Sequence, residues 1–275
     1  MDGENLAELV FLKLGGSLIT DKGSPQTARG EVIRRIAGEI RAALDEVPTL
    51  RLVLGHGSGS YGHPPASKYG VQEGLAGSDD WWGYAETAVV AARLNHLVCE
   101  TLLEGGVPVV PLQPSASSRC QDGTLVHLEV APLEKSLERG LVPVVYGDVS
   151  FDTVRGSAVI STEQIFAYLA PHLKPARVVL AGHVEGVFTA DPLRETGTRL
   201  LSEVSVSALS GVEEMLTGSL DIDVTGGMLS KVQTMCQLIQ MQPTITVRIF
   251  SGRKDGSIKR ALVDPRVDEG TLLHW

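Results

Sequence analysis

Three short segments of this 275-residue chain carry lysine, glycine and histidine in arrangements suited to holding phosphate. In the first, Lys13-Leu14-Gly15-Gly16-Ser17 is followed by Lys22, nine positions after Lys13, within Ile19-Thr20-Asp21-Lys22. Glycines let main-chain amides come close to an anion, and ammonium groups offset charge that spreads over a phosphoryl group in transit. The same residues would also make a plain strand-to-helix turn with two exposed lysines, and the segment alone does not choose. The second segment, Gly55-His56-Gly57-Ser58-Gly59-Ser60-Tyr61-Gly62-His63, puts Gly57, Gly59 and Gly62 at dinucleotide-binding spacing. A dinucleotide turn opens directly into a helix, whereas Pro64 and Pro65 follow here, and no acidic residue closes a next strand about 20 residues on. The expectation is a flexible anion cradle ending in His63, whose ring can add a hydrogen bond or a charge to a bound phosphate. His56 suits the satisfaction of backbone groups, and the two histidines lack the carboxylate or cysteine companions of a metal site. The third segment, Thr225-Gly226-Gly227-Met228, opens an amphipathic stretch with Lys231 one turn in. It fits either a phosphate-binding helix start or a capped helix with a surface lysine. No Walker A sequence occurs, so an ATP-using enzyme would hold its nucleotide by another arrangement.

Apolar runs at 10–14, 50–54, 107–111, 142–146, 178–181 and 245–250 read as buried strands. Amphipathic stretches at 31–44, 84–103, 163–169 and 228–241 read as helices, the long one with Asp79 and Asp80 placed to cap its start. This alternation implies a mostly parallel sheet covered on both faces, with functional residues in loops at the carboxyl ends of strands. Only a soft boundary falls near 171–175, where prolines interrupt the pattern. A net charge of -9 argues against a nucleic-acid footprint, so a phosphate site must be a local positive island. No stretch approaches the roughly 18 apolar residues needed to span a bilayer, and the start lacks the layout of a secretory signal, which points to the cytoplasm and no membrane insertion. Cys99, Cys120 and Cys236 form no CxxC pair and read as buried apolar residues.

Taken together, the chain resembles the isopentenyl phosphate kinases, a branch of the amino acid kinase superfamily. The resemblance rests on Lys13 to Ser17 with Asp21-Lys22, the glycine segment ending in His63, Tyr146-Gly147-Asp148-Val149, Glu185-Gly186-Val187-Phe188 with Asp191-Pro192, and Asp223 through Lys231. It implies an open α/β/α sandwich with a mostly parallel central sheet, the amino acid kinase fold. An acceptor lobe would span residues 1–174 and an ATP lobe residues 175–275, and the protein would be a homodimer. The implied reaction is direct in-line transfer from ATP, with Mg2+, to isopentenyl phosphate, and no protein metal ligand. The resemblance makes Lys13, Lys22 and His63 catalytic. ATP would meet Lys13, Gly15, Gly16, Lys22, Gly186, Asp191, Gly227 and Lys231, and the acceptor Gly55, Gly59, His63, Gly147 and Asp148. The acceptor's tail would lie against small and branched residues such as Ala85, Val89 and Ala92, which suit an ordinary core equally well. Two positions depart from the family pattern. Ser161-Thr162-Glu163 stands where Ser-Gly-Asp is expected, so Glu163 replaces the organising aspartate or that role lies elsewhere, and Gly182-His183 stands where a Thr-Asp pair is expected. Alternatives are a kinase of the same fold for another phosphate or phosphonate, such as fosfomycin, and a non-catalytic nucleotide-binding module.

Overall fold

A computed structural model of the chain describes residues 8–76, 81–190, 197–217 and 226–275. Its centre is strand β1 (Leu9–Leu14), every residue of which is buried. Side chains alternate across a strand. Leu9 and Phe11 therefore join one core, and Val10, Leu12 and Leu14 join the core on the opposite face. Parallel neighbours β2 (Arg51–His56) and β9 (Arg177–Gly182) flank β1. Beyond β2 lie β6 (Val142–Tyr146) and β3 (Val109–Pro111), and beyond β9 lie β11 (Thr246–Ser251), β12 (Thr271–His274) and β10 (Glu203–Ser205). The resulting eight-stranded sheet runs in the order β10, β12, β11, β9, β1, β2, β6, β3, with its one antiparallel pairing between β11 and β12.

One face is covered by α2 (Gly30–Glu46), α4 (Trp82–Glu104) and α9 (Ser257–Val263). In α2 the apolar spacing of Ile33, Ile36 and Ile40 forms the stripe a core-facing helix needs. The other face carries α5 (Ala131–Glu138), α6 (Thr162–Leu173) and α8 (Gly226–Met241). Phe166 of α6 packs on Phe11 with ring centres 4.9 Å apart. Helix α6 starts in a reciprocal cap: the Gln164 amide donates to Ser161 Oγ at 3.1 Å, and the Ser161 amide donates to Gln164 Oε1 at 2.8 Å. Short helices α1 (Gly16–Ile19), α3 (Gly59–Lys68) and α7 (Leu209–Thr217) complete the helical set. Strands β4 (Arg119–Gln121), β5 (Thr124–His127), β7 (Asp148–Asp152) and β8 (Gly156–Ile160) form a second sheet in the order β5, β4, β7, β8.

Three expectations change. The glycine segment is a short turn that opens directly into α3, with Pro64 and Pro65 inside the helix. Pro64 has no amide to give the Ser60 carbonyl one turn back, and the Gln26 amide donates to that carbonyl instead, at 3.0 Å. Pro171 lies inside α6, and the chain then re-enters the middle of the sheet as β9. On α4, Ala85 and Val89 face solvent and Ala92 is half-buried, so this stripe is not ordinary core. The inward residues are Thr87, Ala91, Leu94 and Val98. The expected caps Asp79 and Asp80 lie outside the described residues.

Candidate active site

The alternation that buries Leu9 and Phe11 sends Lys13 to the same face, toward α6 and α8. There its ammonium group pairs with the carboxylate of Glu163 in the first turn of α6. Lys13 is 6% exposed and Glu163 4%, so the pair is withdrawn from water. Burial alone would raise the Glu163 pKa, but the charges of Lys13 and then Lys231 outweigh it and hold the carboxyl below its ordinary range. Lys231, one turn into α8, loses proton affinity first through burial and then through Lys13, with Glu163 opposing, and its pKa falls to about 8. Lys22, exposed in the loop after α1, adds its charge to the same group. Two ammonium groups thus face one carboxylate, with a third, Lys22, acting on Lys231, in a protein of net charge -9. The surplus is the local positive island that an anionic ligand requires.

The depressed Lys231 pKa has a measurable consequence. An unfolded lysine keeps its proton to about pH 10.4. Between pH 8 and that value the unfolded chain binds more protons than the folded one, so stability rises with pH across this window. Melting curves of the ligand-free protein between pH 7.5 and 10 are expected to show a steeper gain for wild type than for Lys231→Met. Equal slopes would place Lys231 in solvent.

Two glycine turns adjoin the cluster. A Cβ on Gly16 would stand 2.6 Å from the Gly59 nitrogen, and one on Gly57 would stand 2.9 Å from the Gly16 nitrogen. The turns therefore meet main chain to main chain. Gly59 adopts a φ of +50°, which glycine reaches without strain. Thr20 fastens the two turns: its hydroxyl donates to the Gly16 carbonyl at 2.7 Å and accepts from the Ser60 amide at 3.0 Å. The Gly15 amide donates to the Ala181 carbonyl at 2.8 Å and is not open to a phosphate, contrary to expectation. Among the described residues, the amides of Gly16 and Gly59, at the starts of α1 and α3, donate to no backbone carbonyl. His63 is exposed on α3, one turn beyond Gly59 and on the same side of the helix.

Other expected contact residues also have packing or hydrogen-bonding roles. A Cβ on Gly55 would lie 2.4 Å from Thr162 Cγ2 and 2.8 Å from Phe166 Cζ, so Gly55 lets α6 cross β2 closely. That crossing is why the position is glycine. His56 is fully buried. Its Nδ1 bonds the Gly57 carbonyl at 3.2 Å, its Nε2 lies 3.1 Å from the Asn95 side chain, and its ring stacks on Tyr146. Burial lowers its pKa and keeps it neutral. The Gly147 amide and the Thr162 hydroxyl both donate to the His56 carbonyl, at 2.9 and 2.7 Å. Asp148 is 1% exposed and accepts from the amides of Val149 and Ser115, so it ties β7 to the neighbouring turn. Gly186 is buried, and a Cβ there would stand 2.6 Å from Thr271 Oγ1. Gly227 has open space beside it at the start of α8. Asp191 lies outside the described residues. Thr20 and Thr162 had no assigned role in the sequence reading. Thr20 sat inside a quoted motif, and its β-branched hydroxyl beside a glycine turn was the available signal.

The family model described as the amino acid kinase family matches residues 8–251. The chain belongs to the amino acid kinase family. Within it, the chain is 36% identical to a protein of Methanothermobacter thermautotrophicus named isopentenyl phosphate kinase, over 96% of this chain and 98% of that one. A protein of the same name from Haloferax volcanii is 38% identical over 84% of this chain and 88% of its own. A solved structure described as isopentenyl phosphate kinase superposes with a TM-score of 0.82 at 33% identity, covering 96% of this chain and 99% of that one. The mostly parallel sheet with helices on both faces is the fold of this amino acid kinase, as the resemblance implied. Its two departures occupy telling places: Glu163 pairs with Lys13, and His183 follows directly on β9.

Proposed function

We propose that the protein transfers the γ-phosphate of ATP to isopentenyl phosphate, giving isopentenyl diphosphate by direct in-line displacement. The observation that carries this reading is the surplus of ammonium groups, Lys13, Lys22 and Lys231 against Glu163, beside two fused glycine turns. Likeness to proteins named isopentenyl phosphate kinase supports the acceptor. Both reactants are anions, so the barrier lies mainly in aligning them and dispersing negative charge. Lys13, fixed in the central strand, meets the phosphoryl group in flight. Lys22 swings in from its exposed loop to the nucleotide side, and Lys231 with the start of α8 holds the ATP phosphates. Glu163 keeps Lys13 and Lys231 from repelling each other before substrate arrives. The Gly16 and Gly59 amides receive phosphate oxygens. Among the described residues no cluster of three metal-ligating side chains exists, and Glu163 is engaged by Lys13. Mg2+, when bound with the nucleotide, would neutralise charge on its phosphates. In this reading residues 1–174 serve the acceptor and 175–275 the nucleotide, in a cytoplasmic homodimer. Among the described residues no helix is long and apolar enough to cross a membrane.

Turnover in a coupled assay with isopentenyl phosphate, and little with fosfomycin, is the expected result. The reverse preference would overturn the acceptor assignment. His63 gives a finer test. Helical side chains lean toward the N-terminus, so from one turn along α3 its ring can close over the Gly59 amide and hold a phosphate there. A charge-assisted hydrogen bond of about 1.5 to 3 kcal/mol corresponds to roughly 10- to 150-fold in binding. His63→Ala is expected to raise the KM for isopentenyl phosphate within that range and to leave ATP affinity nearly intact. A folded variant with unchanged acceptor KM would remove His63 from the site.

A further inference from the structure

Ser60, in the first turn of α3, is bonded through both of its main-chain groups to the two ends of the loop that carries Lys22. Its amide donates to the Thr20 hydroxyl at 3.0 Å, and its carbonyl accepts from the Gln26 amide at 3.0 Å. The second bond uses a carbonyl that the helix leaves open. Pro64, four positions on, has no amide to give it, and a proline there costs the helix one of its own bonds. Gln26 in turn adopts a φ of +49°, a left-handed conformation that residues with a side chain seldom take. Its side chain is held as well: Gln26 Oε1 accepts from Arg93 Nη1 of α4 at 2.6 Å, although both residues are exposed. Two local costs, a proline within a helix and a positive φ, thus meet in one contact, and strain of this kind persists where the surroundings over-determine it. The loop is also closed on itself, by the Asp21 amide donating to the Thr27 carbonyl at 2.9 Å and the Gly23 amide donating to Asp21 Oδ1 at 3.0 Å. Lys22 therefore stands on a short, braced excursion whose far end is fastened to the helix of Gly59 and His63.

We propose that Gln26 is a positioning residue for Lys22, pinning the lysine's loop to the first turn of α3 through the carbonyl that Pro64 leaves free. The proposal rests on the reading of Lys22 as a cation of the phosphoryl transfer, and it deepens that reading by naming what sets the distance between Lys22 and the helix that receives the acceptor's phosphate. Lys13 is held by Glu163 and Lys231 is buried, whereas exposed Lys22 depends on its main chain for its place. A misplacement of about 1 Å in such a group can cost on the order of 100-fold in rate. Loss of the pin therefore slows transfer and leaves the acceptor bound, because Gly59 and His63 stay where they are.

Pro64→Ala tests this without an ordinary disruption. The new amide gives the helix its own donor to the Ser60 carbonyl, in competition with Gln26. The variant is expected to melt no lower than wild type and yet to turn over isopentenyl phosphate about 10-fold or more slowly. Hydrogen exchange of the ligand-free full chain should show the Gln26 amide losing protection in Pro64→Ala. Arg93→Ala, at an exposed side chain, is expected to lower kcat in the same sense with an unchanged melting temperature. Combined with Lys22→Ala, neither substitution is expected to slow the enzyme further, since no lysine is left to place. A Gln26 amide as protected in Pro64→Ala as in wild type, or a released one with wild-type kcat, overturns the proposal. Rate losses that simply multiply with that of Lys22→Ala overturn it too, and so does a fall in kcat matched by an equal loss of isopentenyl phosphate affinity, which would lay the effect on neighbouring His63. Loss of Gln26 protection and of rate with an acceptor other than isopentenyl phosphate would sink the acceptor reading and leave this one standing.

Discussion

Replacing Lys13 with alanine is expected to lower kcat by about 100-fold or more with a much smaller change in either KM. Charge on the phosphoryl group in flight is spread over its oxygens and peaks in the transition state, so a cation fixed beside it lowers the barrier more than it tightens the ground state. Lys13 suits that task because its main chain is locked between β2 and β9 and its ammonium group is already held by Glu163. Little reorganisation remains for the reaction itself. The loss should be accompanied by a recovery of proton affinity at Lys231, since Lys13 stands second only to burial among the influences that depress it. Steady-state kinetics and a pH titration of Lys231 in the variant check both parts. A folded Lys13→Ala enzyme with wild-type kcat would remove Lys13 from the mechanism.

The second large effect is expected at Glu163, and it appears in stability before activity. Glu163→Gln leaves Lys13 and Lys231 facing each other with no counter-charge. Breaking one side of a buried ion pair typically costs about 3 to 5 kcal/mol, because the remaining charge is stranded. The ligand-free variant should melt far below wild type, while an unreactive ATP analogue should raise its melting temperature more than it raises that of wild type. The analogue's phosphates supply the negative charge that the carboxylate no longer provides. Equal ligand-induced shifts in the two proteins would show that Glu163 does not balance the phosphate-binding lysines.

Much of the fold was legible in the sequence because its central strands are continuous apolar runs, as strands buried on both faces must be. The runs around Leu12, Val53, Val144, Val179 and Ile249 all became strands of the main sheet. The second sheet escaped notice because its strands are three to five residues long and mix polar with apolar side chains, as in Arg119–Gln121 and Asp148–Asp152. Helix α3 was hidden by Pro64 and Pro65. The rule that proline ends a helix fails where a distant donor, here the Gln26 amide, takes up the freed carbonyl. In the site, Lys13 and Lys231 could be found by asking where cations stand beside glycine. Gly55 looked the same on paper but answers to packing against Thr162 and Phe166, a neighbour 107 positions away in the nearer case. Asp148 is similar: its motif was visible, but its burial and its two main-chain partners depend on the turn at Ser115. Glu163 could be singled out only as a departure from a family pattern, because nothing in Ser161-Thr162-Glu163 reveals that β1 passes beneath it.

The contact between the glycine turns bears on how the protein can fail. With Gly16 against Gly59, Thr20 bridging to Ser60 and the Gly57 amide donating to the Leu14 carbonyl at 3.0 Å, neither turn can peel away without parting β1 from β2. Those strands lie in the middle of the main sheet, and their separation amounts to global unfolding rather than local opening. The proposed anchorage for phosphate is therefore as durable as the protein itself, and the entropic cost of setting the Gly16 and Gly59 amides side by side is met once per folding event instead of once per turnover.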